Sequence, residues 1–376
     1  MGPLLLSANS FWNIVNFRGQ LVEALVNAGY PVRIAAPDID PMWAEARGVE
    51  AFDILVDRSG LNPVRDGVLW LDYVRLFRRT RPQFYLGFTA KPNIYGSLAA
   101  QITGVASLPN VSGLGTAFMS SGPLADFVSL LYRLAFRRCP IVFFQNPDDR
   151  DLFVARNIVE PSQARLLPGS GIDLDRFAPA PMPADHNQMT FLFIGRLLGD
   201  KGVREFVEAA RELRGEHPGW RFQLLGDIDP GNRTGIVAEQ IRQWVSDGLI
   251  EHLGHADDVR PFIAGATAVV LPSYREGLPR SLLEGAAMAR PLIASDVPGN
   301  RQLVEHGVNG LLCAARDAKS LAEVMRQLGS IAPERRAQMG LAGRGLVERE
   351  YGVERVVGAY LDALTQLAGE MRVRGN

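Results

Sequence analysis

Four charged residues in this 376-residue chain are spaced as a site would need them. Glu276 and Glu284 stand eight apart around Gly277 and Pro279, and Arg196 and Lys201 stand five apart across Gly199. The acids lie in TAVVLPSYREGLPRSLLEGAAMARP, residues 267–291. The apolar run 268–271 reads as a buried parallel strand, broken over 272–277. Pro279 falls where a helix can begin without its N–H, and 280–289 are helix formers. Strand, glycine loop and helix together leave ligands at the carboxyl end of a strand in an open α/β sheet. The N–H groups of Arg280, Ser281 and Leu282 would open a helix whose dipole favours an anion, and a diphosphate is the candidate. Taken alone, two glutamates at this spacing describe an ordinary loop and amphipathic helix.

The cations supply the context. The run 191–194 is a buried strand ending in Gly195 and then Arg196, with Lys201-Gly202 at the start of a helix. A strand-end arginine and a lysine five residues on can converge on one diphosphate, with glycine letting the backbone approach. Lys201 by itself would be a solvated helix-start residue; facing the anion site at Ser281 it becomes half of a charge clamp. Gly226-Asp227 and Gly254-His255 each follow an apolar run, as edges for a flat nucleobase. His255 reads as a loop residue rather than a catalyst.

The elements that must hold these residues alternate. Strands are expected over 4–8, 32–35, 84–88, 107–111 and 141–145, with helices over 17–28, 69–79 and 95–102. Residues 9–12 then form the first strand-to-helix loop, on the ligand side. A glycine- and proline-rich crossing spans 168–171 and 177–183. A second series has strands over 190–194, 222–225, 268–271 and 292–294. Its helices are expected over 203–214, 234–247, 280–289, 300–305 and 318–328. A long last helix over 353–371 follows both sheets. The reading is α/β, two doubly wound Rossmann-like domains facing a cleft. The first takes 1–180, with 354–376 packing back on it; the second takes 181–353.

Composition bounds the rest. At 376 residues and 47% hydrophobic, two soluble cores are the natural division. A net charge of −1 argues against a general nucleic-acid-binding surface. Cys139 and Cys313 lie in different domains, with neither disulfide nor zinc spacing. The opening GPLLLSANS is too short for a signal peptide, and no apolar run approaches the ~20 residues of a spanning helix. A cytoplasmic protein is expected, with any membrane contact peripheral. No metal-ligand cluster stands out, so no cofactor or metal is expected.

The motifs in order are Gly195-Arg196 with Lys201-Gly202, Gly226-Asp227, Glu276-Gly277-Leu278-Pro279 with Glu284, Ser295-Asp296-Val297-Pro298-Gly299, and Gly307-Val308-Asn309-Gly310. This order resembles the retaining GT-B glycosyltransferases of family 4 over the whole second half. The resemblance implies that Arg196 and Lys201 hold the donor diphosphate and that Glu284 accepts hydrogen bonds from the ribose hydroxyls. It places Glu276 against the transferred sugar and backbone groups from Leu278 and Pro279 to Ser281 and Leu282 against sugar or phosphate. A carboxylate suits a vicinal diol, and cations suit a departing diphosphate. In the first half, Phe88-Thr89-Ala90-Lys91-Pro92-Asn93-Ile94-Tyr95-Gly96 and Asn110-Val111-Ser112-Gly113-Leu114-Gly115 look like a bacterial branch of the family. Phe143-Phe144-Gln145-Asn146 and the opening Asn9-Ser10-Phe11-Trp12 with Phe17-Arg18 look like it too. Its members extend polyprenyl-diphosphate-linked saccharides, N-acetylgalactosaminyl transfer among them. The implied activity is transfer of an N-acetylhexosamine or related hexose from a UDP-sugar to such an acceptor. The implied location is the inner face of the cytoplasmic membrane.

One departure concerns the acceptor side. Many family members use a first-domain histidine there, but all five histidines lie at 186 or later. Asn9, Lys91, Ser112 and Thr116 are the available polar residues, and nothing ranks them. Retention is usually described as front-face attack with the leaving phosphate taking the acceptor proton, so a dedicated base need not exist. Between Trp70 and Arg138 eight Lys and Arg face two Asp, a surplus of six, with aromatic and aliphatic residues interleaved. The arginines suit an anionic membrane surface or a lipid diphosphate. Phe127, Leu130, Leu131 and Leu134 read instead as packing on the sheet. A soluble acceptor or a GDP-sugar is the alternative within glycosyltransferases. A dehydrogenase is excluded by the lack of G-x-G-x-x-G after the first strand. A bare two-lobed binding protein has no call for two cations aimed at a leaving group.

Overall fold

The computed structural model describes residues 1–57, 62–114, 122–183, 188–229 and 231–375. These form two compact units, Met1–Gly171 with Val353–Asn376, and Ile172–Gly352.

The first unit runs β1 (Leu4–Ser7), α1 (Phe11–Asn27), β2 (Val32–Ala36), α2 (Pro41–Glu45), β3 (Glu50–Asp53), α3 (Pro63–Thr80) and β4 (Phe84–Gly87). It continues through α4 (Ser97–Thr103), β5 (Ala106–Ser107), β6 (Asn110–Val111), α5 (Pro123–Phe136), β7 (Val142–Phe144), α6 (Pro147–Ala155) and β8 (Ala164–Leu166). All strand pairs are parallel, in the orders β3-β2-β1-β4-β5 and β6-β7-β8. A bridge from Phe88 to Asn110 carries the first sheet on to the second. The strand expected over 107–111 is thus divided, because Leu108-Pro109 steps the chain from β4 to β7 and Pro109 brings no N–H to a ladder. Helix α1 begins six residues earlier than expected, where Ser10 accepts from the Asn13 N–H as its N-cap.

The second unit runs β9 (Thr190–Ile194), α7 (Val203–Glu216), β10 (Arg221–Leu225), α8 (Ala238–Ser246), β11 (Glu251–Gly254), α9 (Arg260–Gly265) and β12 (Ala268–Leu271). Then come α10 (Arg280–Ala287), β13 (Leu292–Ser295), β14 (Gly310–Cys313), α11 (Ala318–Ser330) and α12 (Pro333–Glu350). Its six parallel strands take the order β11-β10-β9-β12-β13-β14, a doubly wound sheet that reverses direction at β9. The central strands β9, β12 and β13 are buried on both faces, which is why they read as continuous apolar runs. The helix expected over 234–247 is shortened to α8, because Gly235 bridges to Leu198 and its backbone crowds Asp229. The helix expected over 300–305 is a single 3-10 turn, Asn300–Gln302.

The last helix, α13 (Val353–Gly375), belongs to the first unit, where Val356, Tyr360, Leu364 and Leu367 join the core around β1 and β4. The division falls nine residues before the expected boundary at 180. Residues 172–180 pack in the second unit: Ile172 and Phe177 are buried in its core, and Arg344 donates to the Leu174 and Phe177 carbonyls. Fully buried Arg290 donates to the carbonyls of Ala180, Pro181, Ile263 and Ala264, so the proline-rich stretch is strapped down rather than loose. Burial without an acidic partner lowers its guanidinium to about 10.

Candidate active site

The carboxyl edge of the second sheet is built by glycines. The N–H of Gly195 donates to the Leu225 carbonyl at 2.9 Å, and that of Gly226 donates to Gly254 at 2.8 Å. Gly195 and Gly226 both have φ of 151°, a region open to glycine, and a Cβ on Gly226 would collide with the Gly195 carbonyl. Gly202, at φ 77°, presses in the same way on the Pro272 carbonyl beyond β12. Three loops are thereby locked together. Tyr274 N donates to Asp200 O, Glu276 N to Pro298 O, and the Ser295 hydroxyl to the buried Ser273 carbonyl.

Lys201 ends a 3-10 turn, Gly199–Lys201, and its ammonium grips both oxygens of Glu276 at 2.7 and 2.9 Å. The two side chains are 27% and 10% exposed. An ammonium has three donors, so two spent on Glu276 leave a third for a phosphate oxygen. Arg196 does not join this pair. It lies 60% exposed and pairs with Asp229 at 3.1 Å. The two cations expected to act together are each held by a different acid.

Pro279 caps α10 without a side-chain hydrogen bond and, having no N–H, donates nothing itself. Leu283 N is bonded back to the Pro279 carbonyl, so Ser281 and Leu282 lie in the first turn, where N–H groups have no acceptor within the helix. Leu278 is partly buried against the core, and Leu282 is fully buried. One turn on, Glu284 is buried and accepts from Arg280 Nε at 2.8 Å. Burial pushes its carboxyl above the usual range, and the Arg280 guanidinium works against that rise. Arg176 adds positive field and Asp258 negative field at the same carboxyl. Asp258 is itself held down to about 2 by its hydrogen bonds from Arg260.

Several of these partners escape a reading by spacing. Arg280 was legible, four residues before Glu284 on one helix face. Asp229 and Arg176 come from loops and carry no local signal. Tyr274 donates to Glu205 at 2.6 Å and lies under Arg316, and burial raises its hydroxyl to about 12. His255 sits exposed between Asp227 and Asp257, a loop residue as read. Among the described residues no cluster could hold a metal ion.

The residues expected on the acceptor side fall in the first unit. Asn9 follows β1, and its N–H donates to Thr89 Oγ1 at 3.2 Å. Thr89 itself has φ 70°, an uncommon conformation for a β-branched residue and a mark of functional sites. Lys91 is turned inward: its ammonium meets Asp66 Oδ1 at 2.7 Å, and Tyr95 donates to the other oxygen at 3.0 Å. Ser112 is partly buried just after β6. Thr116 lies outside the described residues.

Two parallel-sheet α/β units of this build are the fold of the GT-B glycosyltransferases. The chain belongs to the family-4 group of these enzymes. Residues 14–169 match a glycosyl transferase 4-like domain, and residues 188–330 match glycosyl transferases group 1. A Campylobacter jejuni N,N'-diacetylbacillosaminyl-diphospho-undecaprenol alpha-1,3-N-acetylgalactosaminyltransferase is 25% identical over 333 residues, 83% of this chain and 85% of its own. An Escherichia coli UDP-Gal:alpha-D-GlcNAc-diphosphoundecaprenol alpha-1,3-galactosyltransferase is 24% identical over 323 residues, 81% and 82% of the two chains. The solved sucrose-phosphate synthase of Thermosynechococcus elongatus shares the fold, with a TM-score of 0.81 at 20% identity over 98% of this chain and 100% of its own.

Proposed function

We propose that this enzyme moves an N-acetylhexosamine or related hexose from a UDP-sugar to a polyprenyl-diphosphate-linked saccharide, with retention, at the inner membrane face in bacterial surface-glycan synthesis. The observation that carries the donor side is the Lys201–Glu276 pair at the strand ends, on the loop that leads into α10 with its buried Glu284. In this reading Glu284 takes the ribose diol, and Arg196 and the third donor of Lys201 take the diphosphate. Glu276, fixed by Lys201, faces the sugar. The C1–phosphate bond breaks as the acceptor oxygen bonds to C1 from the same face, and the acceptor proton passes to the departing phosphate oxygen. Leaving-group stabilisation falls to Arg196, Lys201 and the opening of α10, with no metal assigned. The acceptor assignment is supported by the two undecaprenol-linked relatives, each matching over four-fifths of both chains.

The test is a panel of UDP- and GDP-sugars, scoring nucleotide release with and without polyprenyl-diphosphate saccharides, and NMR of the product's anomeric centre. UDP release that depends on the lipid-linked acceptor, with the donor's configuration preserved, is the expected result. Release driven by a GDP-sugar, an inverted product, or indifference to every lipid acceptor would overturn the corresponding part.

A further inference from the structure

Helix α5 has two apolar sides. The inner one, with Ala125, Val128, Tyr132 and Phe136, fills the core. On the outer one Leu124, Phe127, Leu130 and Leu134 are 46% to 49% exposed, and the spacing 124, 127, 130, 134 draws a single stripe along the helix. Phe127, Leu130 and Leu134 were expected to pack on the sheet; the core is already filled from the other side of the helix, so they are left outside. Helix α3 adds a second stripe, Val64, Val68 and Leu71, and α4 adds Ile102, all exposed.

Between the three helices lies a groove of about 470 Å³, walled by Trp70, Leu98, Phe127 and Leu131. Its polar groups are already matched from within. Asp66 is held by Lys91 and Tyr95, and the Gln101 amide donates to the Leu134 and Ala135 carbonyls. A peptide laid there would need partners for its backbone groups, whereas a hydrocarbon chain needs none. Arginines extend the stripes. Arg75 and Arg78 continue the spacing of Val64, Val68 and Leu71 along α3, Arg137 and Arg138 follow α5, and all four are exposed. By contrast, exposed large apolar residues in the second unit are Val237, Val245, Val308 and Leu341, one to an element or loop apart from the α8 pair.

An apolar stripe edged with arginine is the chemistry of a helix lying in an anionic lipid interface. We infer that the α3–α4–α5 face docks on an anionic bilayer, with α5 in the interface and the groove receiving one hydrocarbon chain of the leaflet. The inference deepens the lipid-linked-acceptor reading and rests on it for its purpose, since docking would bring the enzyme to a membrane-held substrate.

The test is sedimentation of the full chain with mixed phosphatidylcholine–phosphatidylglycerol vesicles and with phosphatidylcholine alone. The wild type should bind the mixed vesicles and bind the neutral ones more weakly. Phe127→Asp with Leu130→Asp, both exposed, should lower partitioning by about tenfold or more while leaving circular dichroism and UDP binding unchanged. Brominated acyl chains should quench emission in the wild type, and part of that quenching should vanish in Trp70→Phe. Equal partitioning of wild type and variant, absence of wild-type binding, or a dimer that the variant abolishes would each overturn the inference. The two readings fail separately. Vesicle binding without any lipid-acceptor-dependent UDP release would remove the acceptor reading alone. Unchanged transfer to vesicle-held acceptor by the Asp variant would remove the docking alone.

Discussion

The two units are built alike and spend their unusual residues differently. Both stack helices on parallel strands, yet the second gathers its charges at the carboxyl edge of the sheet, where Lys201 meets Glu276 and Arg280 meets Glu284. The first buries an ion pair, Lys91 with Asp66, at 13% and 7% side-chain exposure and leaves apolar side chains outside. In the proposed function the ligand supplies the countercharge to the strand-end loop. An inward ion pair is retained only if its partners stay matched, and an outward apolar stripe calls for a non-aqueous neighbour. The comparison teaches that one sheet plan can place charge at its strand ends or apolar side chains on its outer helices.

The sharpest break would come at the charged edge. Arg196→Ala with Lys201→Ala should lower turnover by about 10³-fold or more with the protein still folded, measured as UDP release under saturating acceptor. Wild-type rates would remove both cations from the site. In the first unit, Lys91→Met should cost about 3 kcal/mol of stability by stranding a buried carboxylate, read in a denaturant titration, and adding Asp66→Asn should recover most of it. A loss of transfer with unchanged stability would return Lys91 to the acceptor site instead.

Glu284→Ala should weaken UDP binding by about 10- to 100-fold in calorimetry, the worth of hydrogen bonds to a charged group. The same carboxyl sets a pH dependence. Its folded-state pKa is raised, so it takes up a proton on acidification before an unfolded carboxyl does. UDP affinity should therefore fall as pH drops through that raised value, while this group's contribution to folding moves the other way and grows. A flat affinity profile in the wild type, or an equal drop in Glu284→Ala, would remove the assignment. The smallest effect is expected from Arg75→Glu with Arg78→Glu, spared the packing of Arg79 on Phe52. Activity on membrane-held acceptor should fall roughly three- to tenfold more than on a detergent-soluble analogue, since salt trims each surface arginine's share. Equal losses on both would leave these arginines without a membrane role.

The edge of the second sheet was legible because each of its parts is local. Gly195, Gly226, Glu276 and Glu284 lie at the ends of apolar runs or the start of a helix, where chain geometry alone restricts the residue. Arg280 could have been read from its i, i+4 spacing to Glu284. Asp229, Arg176 and Tyr274 could not, since each reaches the site from a loop whose course no short-range rule fixes. In the first unit the acceptor residues stayed unranked for the same reason. Lys91 looks available in sequence and is taken by Asp66, 25 residues away.

The sequence by itself determined the alternation of strands and helices, the two-unit plan and the glycine and acid positions at the edge of the second sheet, because periodicity and turn chemistry act over a few residues. Tertiary structure alone decided which side of α5 is buried, since both sides are apolar and core residues such as Ile94, Phe144 and Phe153 cover only one of them. It likewise decided that 172–180 is strapped to the second unit, through the reach of Arg290 and Arg344. Which acid each cation keeps was settled there too, because an ion pair is chosen by distance in space and not by distance along the chain.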